Sequence, residues 1–183
     1  MLTTGSSELA SAEESERLYL DAQRLPAALF EKRYPFRFLV PAFAEEAPAS
    51  EPDVARWGDA PTGIVECGDG ATLGHRIFAL RKTQPLYESM ITVGRTHNHD
   101  VVLRDPSVSK FHAYFKLFGS RVYLIDAGST YGTTVSEKRL LGREPLLVPD
   151  GAIVGFGHVR LRLVPASLVF SALPAAHLAA RGA

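Results

Sequence analysis

Short alternating apolar and polar segments fill the chain from about residue 64 to residue 164, with turn residues between them. Side chains alternate between the two faces of a β-strand, so this pattern predicts half-buried strands, and turns about every 8 to 12 residues are typical of a β-sandwich or barrel. The last segment is the clearest, because Val159, Leu161 and Leu163 fall on one face and two arginines fall on the other. The predicted strands are Arg76–Arg81, Ser89–Val93, Val101–Leu103, His112–Phe118, Arg121–Asp126, Thr133–Val135, Ala152–Phe156 and Val159–Val164.

The rest of the chain has a different pattern. Serines and glutamates near the start are typical of a helix N-terminus, and Pro26 separates this helix from a second short turn at 27–33. Phe36, Phe38 and Val40 alternate as in a strand, and the following residues are mostly Ala, Pro and acidic, with little apolar surface. We predict four parts: a helical N-terminal extension at 1–40, a linker or surface loop at 41–63, a β-sandwich at 64–165, and a C-terminal tail or short helix at 166–183.

The composition, with 46% hydrophobic and 22% charged residues, is that of a soluble globular protein. The N-terminus lacks the basic charge and apolar run of a signal peptide, and no apolar stretch is long enough to span a membrane. Cys67 is the only cysteine, which excludes an internal disulfide and favours a reducing compartment. We therefore expect a cytoplasmic protein with no membrane partner.

Charge is unevenly distributed, although the net charge is zero. Residues 1–74 contain 6 Lys or Arg and 13 Asp or Glu, whereas residues 75–183 contain 14 and 7. Two interpretations stay open: a solvated acidic segment, or a basic receptor for anions beside an acidic segment that competes with it. No nucleic-acid partner is predicted, because the basic half has no aromatic-basic stripe and no nucleic-acid-binding motif.

The strongest chemical signal is the stretch Gly94–His112, GRTHNHDVVLRDPSVSKFH. It places a Gly-Arg turn and a Ser-Lys-x-His turn on either side of one short strand, which would bring a guanidinium, a hydroxyl and an ammonium together. Arg95, Ser109 and Lys110 could then donate charge-assisted hydrogen bonds to a phosphate group. No nucleophile or base accompanies them, so the pattern indicates binding and not catalysis.

A purely structural role is also open for each of these three residues. Arg95 could close a turn with Asp100 or Asp105, Ser109 could cap a turn, and Lys110 could be an ordinary surface residue. The phosphate hypothesis depends on their occurring together.

A second loop follows Asp126, where the sequence AGSTYGT leaves one predicted strand and enters the next. The order of GR, SKFH, DAGSTYGT and DGAIVGFG resembles the forkhead-associated (FHA) family over about residues 76–164. This resemblance implies an all-β fold, an FHA-like β-sandwich of about eleven strands that binds phosphothreonine peptides through loops at one end. The chain would combine this sandwich with an α-helical and partly irregular N-terminal extension.

The resemblance also implies which residues bind the phosphate. Arg95 and Ser109 would grip it, Lys110 would add a phosphate or peptide contact, and Thr130 would line the site. His97 lies in the neighbouring variable loop, where it would contact the peptide and add positive charge at mildly acidic pH.

Five further residues are expected to support the site. His112 would brace the loops through hydrogen bonds, and Gly94 and Gly132 would hold turn geometries that are closed to side chains. Asp126 and Ser129 are expected to fix the second loop, because a carboxylate beside a phosphate would repel it.

The chain departs from the family pattern at Tyr131, where the family has an asparagine that holds the backbone of the bound peptide. A phenol cannot replace the paired donor and acceptor of a carboxamide. Either Tyr131 packs over the peptide or supplies one hydroxyl bond, or the peptide contact is weakened. The alternative function is therefore an FHA-fold scaffold with weakened or lost phosphate dependence.

A remote alternative is a metal-dependent hydrolase that uses His97, His99 and Asp100, because imidazoles and carboxylates can bind zinc. The HNHD pattern lacks the further ligands that such an enzyme needs, so we expect no metal and no cofactor.

The partner that these expectations imply is a phosphothreonine-containing protein, with a serine/threonine kinase upstream. Thr3 and Thr4 stand near acidic residues at the start of the chain. Small bacterial FHA proteins that look similar bind their own phosphorylated N-terminal threonine, so one of these two residues is a candidate internal partner.

Overall fold

The computed structural model describes residues 17–42, 77–85 and 87–171. The chain divides into two compact units. One unit contains Arg37–Ala42 and Ile64–Val164, and the other contains the remaining segments. In the described parts of the chain, no helix is both long enough and apolar enough to cross a membrane. Thr3, Thr4 and Cys67 lie outside the described residues, as do the serines expected to cap the first helix.

Short helices make up most of the described part of the second unit. Helix α1 covers residues 17–24, α2 covers Ala27–Arg33 and α3 covers residues 166–171. The second turn predicted after Pro26 is therefore a helix, and the predicted C-terminal tail is helical over its first described residues.

Aromatic rings and one carboxylate hold these helices together. The fully buried ring of Phe30 lies 4.7 Å from that of Tyr34 and 5.2 Å from that of Phe170, measured between centroids. Asp21 accepts a hydrogen bond of 2.6 Å from the Tyr34 hydroxyl and pairs with Arg33 at 3.0 Å. Burial and the Asp21 carboxylate together raise the pKa of Tyr34 to about 12.

The first unit is a β-sandwich with eleven strands among its described residues. The strands are β1 (Phe38–Pro41), β2 (Phe78–Ala79), β3 (Ile91–Gly94), β4 (Val101–Val102), β5 (Ala113–Phe118), β6 (Arg121–Asp126), β7 (Thr133–Val135), β8 (Lys138–Arg139), β9 (Leu146–Val148), β10 (Ile153–Phe156) and β11 (Val159–Val164). One sheet has the order β2-β1-β11-β10-β7-β8 and the other β4-β3-β5-β6-β9. This confirms the all-β sandwich of about eleven strands expected from the sequence.

The inner faces of both sheets contribute to one apolar core. In β11, Val159, Leu161 and Leu163 are buried while the two arginines between them are not, as the alternation predicts. The fully buried rings of Phe115 and Phe156 meet edge to face with centroids 6.2 Å apart. Burial of each such side chain stabilises the fold by about 1.5 to 3 kcal/mol.

Strand β1 extends the sandwich beyond its predicted boundary. Phe38 and Leu39 are buried and pair with Val164 and Leu163 of β11. A sandwich that starts at residue 64 omits this strand, which was predicted to belong to the helical extension. The reason is that β1 pairs with the last strand of the unit, and no local pattern reveals so distant a partner.

The sequence pattern also misses two short strands, β8 and β9. The turn before β8 places Ser136 and Glu137 at positive φ, 45° and 69°. Asn and Gly usually mark such turns, so this one carries no sequence signal. Of the three residues of β9, only Val148 is buried, which is too little for a recognisable alternation.

Candidate functional site

Three connections open at the same end of the sandwich because the strands that they join are neighbours. β3 runs antiparallel to β5, and Val93 pairs with Ala113 at the start of β5. Ala113 also pairs with Asp126, the last residue of β6. The β3–β4 turn, the β4–β5 turn and the β6–β7 loop therefore begin or end beside one another.

A backbone hydrogen bond joins the first two turns. The Arg95 amide donates to the Ser109 carbonyl at 3.0 Å, while the Thr96 hydroxyl, which lies 2.6 Å from Asn98 Oδ1, is also 3.2 Å from the Lys110 carbonyl oxygen. A Cβ atom added to Gly94 would lie 2.1 Å from that same Lys110 carbonyl oxygen, closer than any contact between real atoms of this kind. Only glycine lets these turns approach so closely, and the approach sets Arg95 beside Lys110.

The two cations at this junction are not neutralised by any other residue that the structure describes. Arg95 and Lys110 are both exposed, and neither side chain has a hydrogen bond or ion pair to another described residue. Two carboxylates could have closed a turn with Arg95, but both have other partners. Asp105 accepts hydrogen bonds from Ser107, and Asp100 accepts hydrogen bonds from Thr92 and from residues 82–84. Both positive charges are thus available to an anion.

Ser109 links the β4–β5 turn to the β6–β7 loop. Its hydroxyl oxygen accepts a hydrogen bond of 3.0 Å from the Thr130 amide, and the two hydroxyl oxygens lie 3.4 Å apart. The Ser109 hydroxyl donates to the Thr130 hydroxyl at this long distance. The two hydroxyls therefore lie side by side where the β4–β5 turn meets the β6–β7 loop.

His112 supports this arrangement from beneath. Its Nδ1 accepts a hydrogen bond of 3.0 Å from the Ser109 amide, so the proton is on Nε2, which donates to the Gly132 carbonyl at 3.2 Å. Burial lowers the pKa of His112, although the Gly132 carbonyl and the Asp126 carboxylate act in the opposite direction. The neutral imidazole therefore holds both loops, one with each nitrogen.

Asp126 organises the β6–β7 loop. Its carboxylate accepts hydrogen bonds from the amides of Gly128 and Ser129, at 2.8 and 2.9 Å, and from the hydroxyls of Ser129 and Thr133. Burial acts to raise the pKa of Asp126, but these hydrogen bonds outweigh it and hold the pKa below its ordinary value. The Asp126 carboxylate is therefore engaged in hydrogen bonds that hold the loop.

The exposed part of the loop carries Tyr131 and Gly132. The Tyr131 side chain is 55% exposed, and its ring meets the imidazole of His158 at 5.4 Å with the planes inclined at 60°. Gly132 has φ of +84°, a conformation that side chains rarely adopt, and its carbonyl accepts hydrogen bonds from His112 and the Gly157 amide. The turn is fixed, while the phenol stays open to a ligand.

Residues 91–157 match the family model of the FHA domain. This segment is an FHA domain. The chain is also 32% identical over 97 residues to the FHA domain-containing protein FhaB from two strains of Mycobacterium tuberculosis, a match that covers 53% of this chain and 57% of FhaB. The chain thus spans about half the length of the curated relatives that it matches.

Solved FHA domains are similar as well. One, from a structural and functional analysis of phosphothreonine-dependent FHA domain interactions, is 26% identical, with a TM-score of 0.42, and the match covers 49% of this chain and 84% of that one. The FHA domain of the CT664 protein from Chlamydia trachomatis is 22% identical, with a TM-score of 0.42, and the match covers 70% of this chain and 96% of that one.

The three candidate metal ligands of the FHA domain do not converge. His97 is exposed, whereas His99 is buried and stacks on Phe111 with centroids 5.3 Å apart. The buried Asp100 carboxylate accepts bonds from Thr92, Lys82 and the backbone of residues 83 and 84. Burial acts to raise the pKa of Asp100, but these bonds hold it well below its usual range. Among the described residues, no group of three or more His, Cys, Asp or Glu side chains could hold a metal ion.

Three residues at this end of the FHA domain were not predicted from the sequence: Thr96, Arg139 and His158. Thr96 follows Arg95 directly, and only the register of the two turns shows that its hydroxyl binds the other turn. Arg139 lies on the unpredicted strand β8, and His158 lies in the turn between β10 and β11. Their positions depend on cross-strand register, which the one-dimensional pattern does not contain.

Proposed function

We propose that the FHA domain binds proteins that carry a phosphorylated threonine and that it performs no catalysis. The observation that carries the proposal is the pair of exposed cations, Arg95 and Lys110, which have no partner among the described side chains and are held next to the hydroxyls of Ser109 and Thr130. The guanidinium fork, the ammonium and the hydroxyls would together supply donors to the phosphate oxygens.

A phosphate suits this group better than a carboxylate does. A phosphorylated side chain carries about 1.5 to 2 negative charges near neutral pH and three acceptor oxygens, whereas a carboxylate has one charge and two oxygens. The donors come from three different connections between strands, which favours a tetrahedral acceptor over a planar one. His112 and Asp126, which lie beneath the loops, are buried and use their side-chain polar atoms to hold the loops in place.

The partner class follows from this chemistry. A phosphothreonine-containing protein requires a serine/threonine kinase upstream, and the preference for threonine over serine would come from an apolar niche for its methyl group. We expect the protein to act in the cytoplasm.

Thr3 or Thr4, once phosphorylated, would be an internal ligand that competes with outside partners. Phosphorylation should then reduce the binding of a phosphothreonine peptide by the full chain.

The decisive experiment measures binding of an oriented phosphothreonine peptide library to the wild type and to Arg95→Ala. For the selected sequence, we expect binding only with phosphate present, and a loss of about 10- to 100-fold in Arg95→Ala, since a charge-assisted bond contributes about 1.5 to 3 kcal/mol. Arg121→Ala is the matched control, because Arg121 is exposed at the opposite end of β6 from the loop. Equal affinity for phosphorylated and unphosphorylated peptides would refute phosphate-dependent binding and support the scaffold alternative.

A further inference from the structure

The imidazole of His99 lies where the two turns that carry the exposed cations meet. His99 is 5% exposed and belongs to the β3–β4 turn, as Arg95 does. A Cβ atom added to Gly94 would lie 2.4 Å from His99 Cδ2, 2.7 Å from His99 Nε2 and 2.1 Å from the Lys110 carbonyl oxygen. One edge of the imidazole and the Lys110 carbonyl therefore share the space that a side chain at residue 94 would fill.

The β4–β5 turn holds this ring by its face and by its edge. The face stacks on Phe111, with centroids 5.3 Å apart and planes inclined at 18°. The edge forms a hydrogen bond with the Lys110 backbone, and Nε2 is the ring nitrogen on that side. The Thr96 hydroxyl lies 3.2 Å from the same carbonyl oxygen. Two residues of the β3–β4 turn, Thr96 and His99, thus meet the backbone of the β4–β5 turn at one atom.

The other ring nitrogen of His99 has no such contact. His99 Nδ1 is buried and has no hydrogen-bond partner among the described residues, whereas both nitrogens of His112 are bonded. Since Nε2 carries the proton that faces Lys110, Nδ1 carries a lone pair in the neutral ring. A second proton would turn Nδ1 into a buried donor without an acceptor, which is an unfavourable state for a polar group.

The charges around the ring do not favour that second proton. Asp100 and Lys82 are the ionisable groups among the described residues that act on His99, and they pair with each other at 2.8 Å. Burial lowers the pKa of His99 and Lys82 acts in the same direction, which outweighs the opposite effects of the Lys110 backbone and Asp100. A proton on His99 would also add positive charge to turns that already carry Arg95 and Lys110.

We propose that His99 is a positioning residue of the proposed phosphate site: the neutral imidazole holds the turn of Arg95 against the turn of Lys110, and its protonation releases them and weakens phosphopeptide binding. This inference rests on the proposed function. His99 would act through Gly94 and the Lys110 carbonyl and would not itself contact the phosphate, because its ring is buried between the turns.

The first test compares the pH dependence of binding in the wild type and in His99→Gln. Glutamine can donate a hydrogen bond to the Lys110 carbonyl but has no proton to gain in this pH range. The phosphate, whose second pKa is about 6, and His112 are present in both proteins, so their own titrations cancel in the ratio of the two Kd values.

The probe is the phosphothreonine peptide selected from the oriented library. At pH 7.5 we expect the Kd of His99→Gln to lie within about threefold of the wild type, since one net hydrogen bond is at stake. At pH 5.5 the wild type should bind about threefold or more weakly than His99→Gln, because one titrating group changes affinity by at most about tenfold for each pH unit.

Val148→Ala is the matched control for a general loss of stability. Val148 is buried and pairs with Val122, at the opposite end of β6 from the loop. This variant should be less stable than the wild type but should keep the wild-type pH dependence of Kd. Circular dichroism at each pH restricts the comparison to conditions in which every protein is folded.

The second test needs no variant, so it decides the matter even if His99→Gln does not fold. NMR titration of the wild type gives the pKa of His99 with and without the peptide. If protonation opens the turns, bound peptide must lower this pKa by reciprocity, by about half a unit for a threefold effect. A phosphate that acted only as a nearby negative charge would raise it.

A His99 pKa that the peptide raises or leaves unchanged would overturn the positioning role, as would identical pH dependence in the wild type and a folded His99→Gln. Either result leaves the proposed function intact, because the peptide still binds at pH 7.5. If no phosphothreonine peptide binds at pH 7.5, the proposed function fails and this inference fails with it.

Discussion

The proposed phosphate side and the proposed peptide side of the site are constructed differently. On the proposed phosphate side, Arg95 and Lys110 are positioned by hydrogen bonds between two turns, and their side chains stay open. On the peptide side, the β6–β7 loop is fixed from beneath by Asp126, while its surface is formed by Tyr131 and by side chains from other strands. A local motif is therefore sufficient to position the hydrogen-bond donors that are proposed to bind the phosphate. The surface proposed to select the peptide depends instead on the register of the whole sheet.

The largest effects are expected from replacing the two buried carboxylates, Asp126 and Asp100, because this would test whether the two sides depend on different contacts. Asp126→Asn replaces one acceptor oxygen with a donor, so the hydroxyls of Ser129 and Thr133 lose their acceptor. We expect the free energy of unfolding to fall by about 2 to 3 kcal/mol, measured by urea denaturation, because bonds to a charged group contribute about 1.5 to 3 kcal/mol. Phosphopeptide binding should weaken about tenfold as the loop loosens, which corresponds to about 1.4 kcal/mol.

Asp100→Asn is the matched variant on the side of Arg95. It also breaks buried bonds, to Lys82 and Thr92, and Asp100 is the last residue of the β3–β4 turn that carries Arg95. We expect a comparable loss of stability but a smaller loss of affinity, about threefold or less, because the Arg95 amide still binds the Ser109 carbonyl at the other end of the turn. A tenfold loss of affinity in Asp100→Asn as well would show that binding does not depend specifically on the loop that Asp126 holds.

The division between the two sides also explains how far the sequence could predict the molecule. Gly94, Arg95 and Ser109 belong to short motifs whose backbone geometry is set within a few residues, so their convergence could be expected before the structure was known. The same holds for Asp126, whose bonds run to residues two, three and seven positions ahead. Their roles towards a ligand stay predictions, and the structure adds where each side chain lies.

Long-range register is what the sequence could not supply. Strand β1 pairs with β11 across almost the full length of the unit, and Arg139 reaches Gly132 only because β8 folds back through a turn without Gly or Asn. Asp100 illustrates the same limit: beside two histidines it suggested a metal ligand, whereas the structure shows it holding the segment at residues 82–84.

A change in pH is the second test of the comparison, because the phosphate side and the peptide side share one buried imidazole. Burial lowers the pKa of His112 and of His99 below their ordinary value of 6.5. The unfolded chain therefore binds more protons than the folded chain below pH 6.5, and stability falls as the pH falls through this range, until the lower pKa of the folded state is reached. Each imidazole contributes at most about 1.4 kcal/mol for each pH unit.

Urea denaturation between pH 7.0 and 5.5 should show this loss, and NMR titration should show that His112 is still neutral at a pH below the ordinary histidine pKa of 6.5. If His112 gains its proton at or above that pH, the imidazole is not the neutral link between Ser109 and Gly132 that its two hydrogen bonds indicate.

The smallest effect, and the one that sharpens the comparison most, is expected from Tyr131→Asn. The ring is 55% exposed and contacts His158 only at its edge, so its removal should leave the free energy of unfolding within about 0.5 kcal/mol of the wild type. An asparagine would offer the peptide backbone both a donor and an acceptor, each net hydrogen bond contributing about 0.5 to 1.5 kcal/mol. We therefore expect phosphopeptide affinity to rise about three- to tenfold in a titration of the two proteins side by side. Weaker binding by Tyr131→Asn would mean that the phenol ring itself covers the peptide, and that the peptide side had replaced a hydrogen-bonded contact with an apolar one.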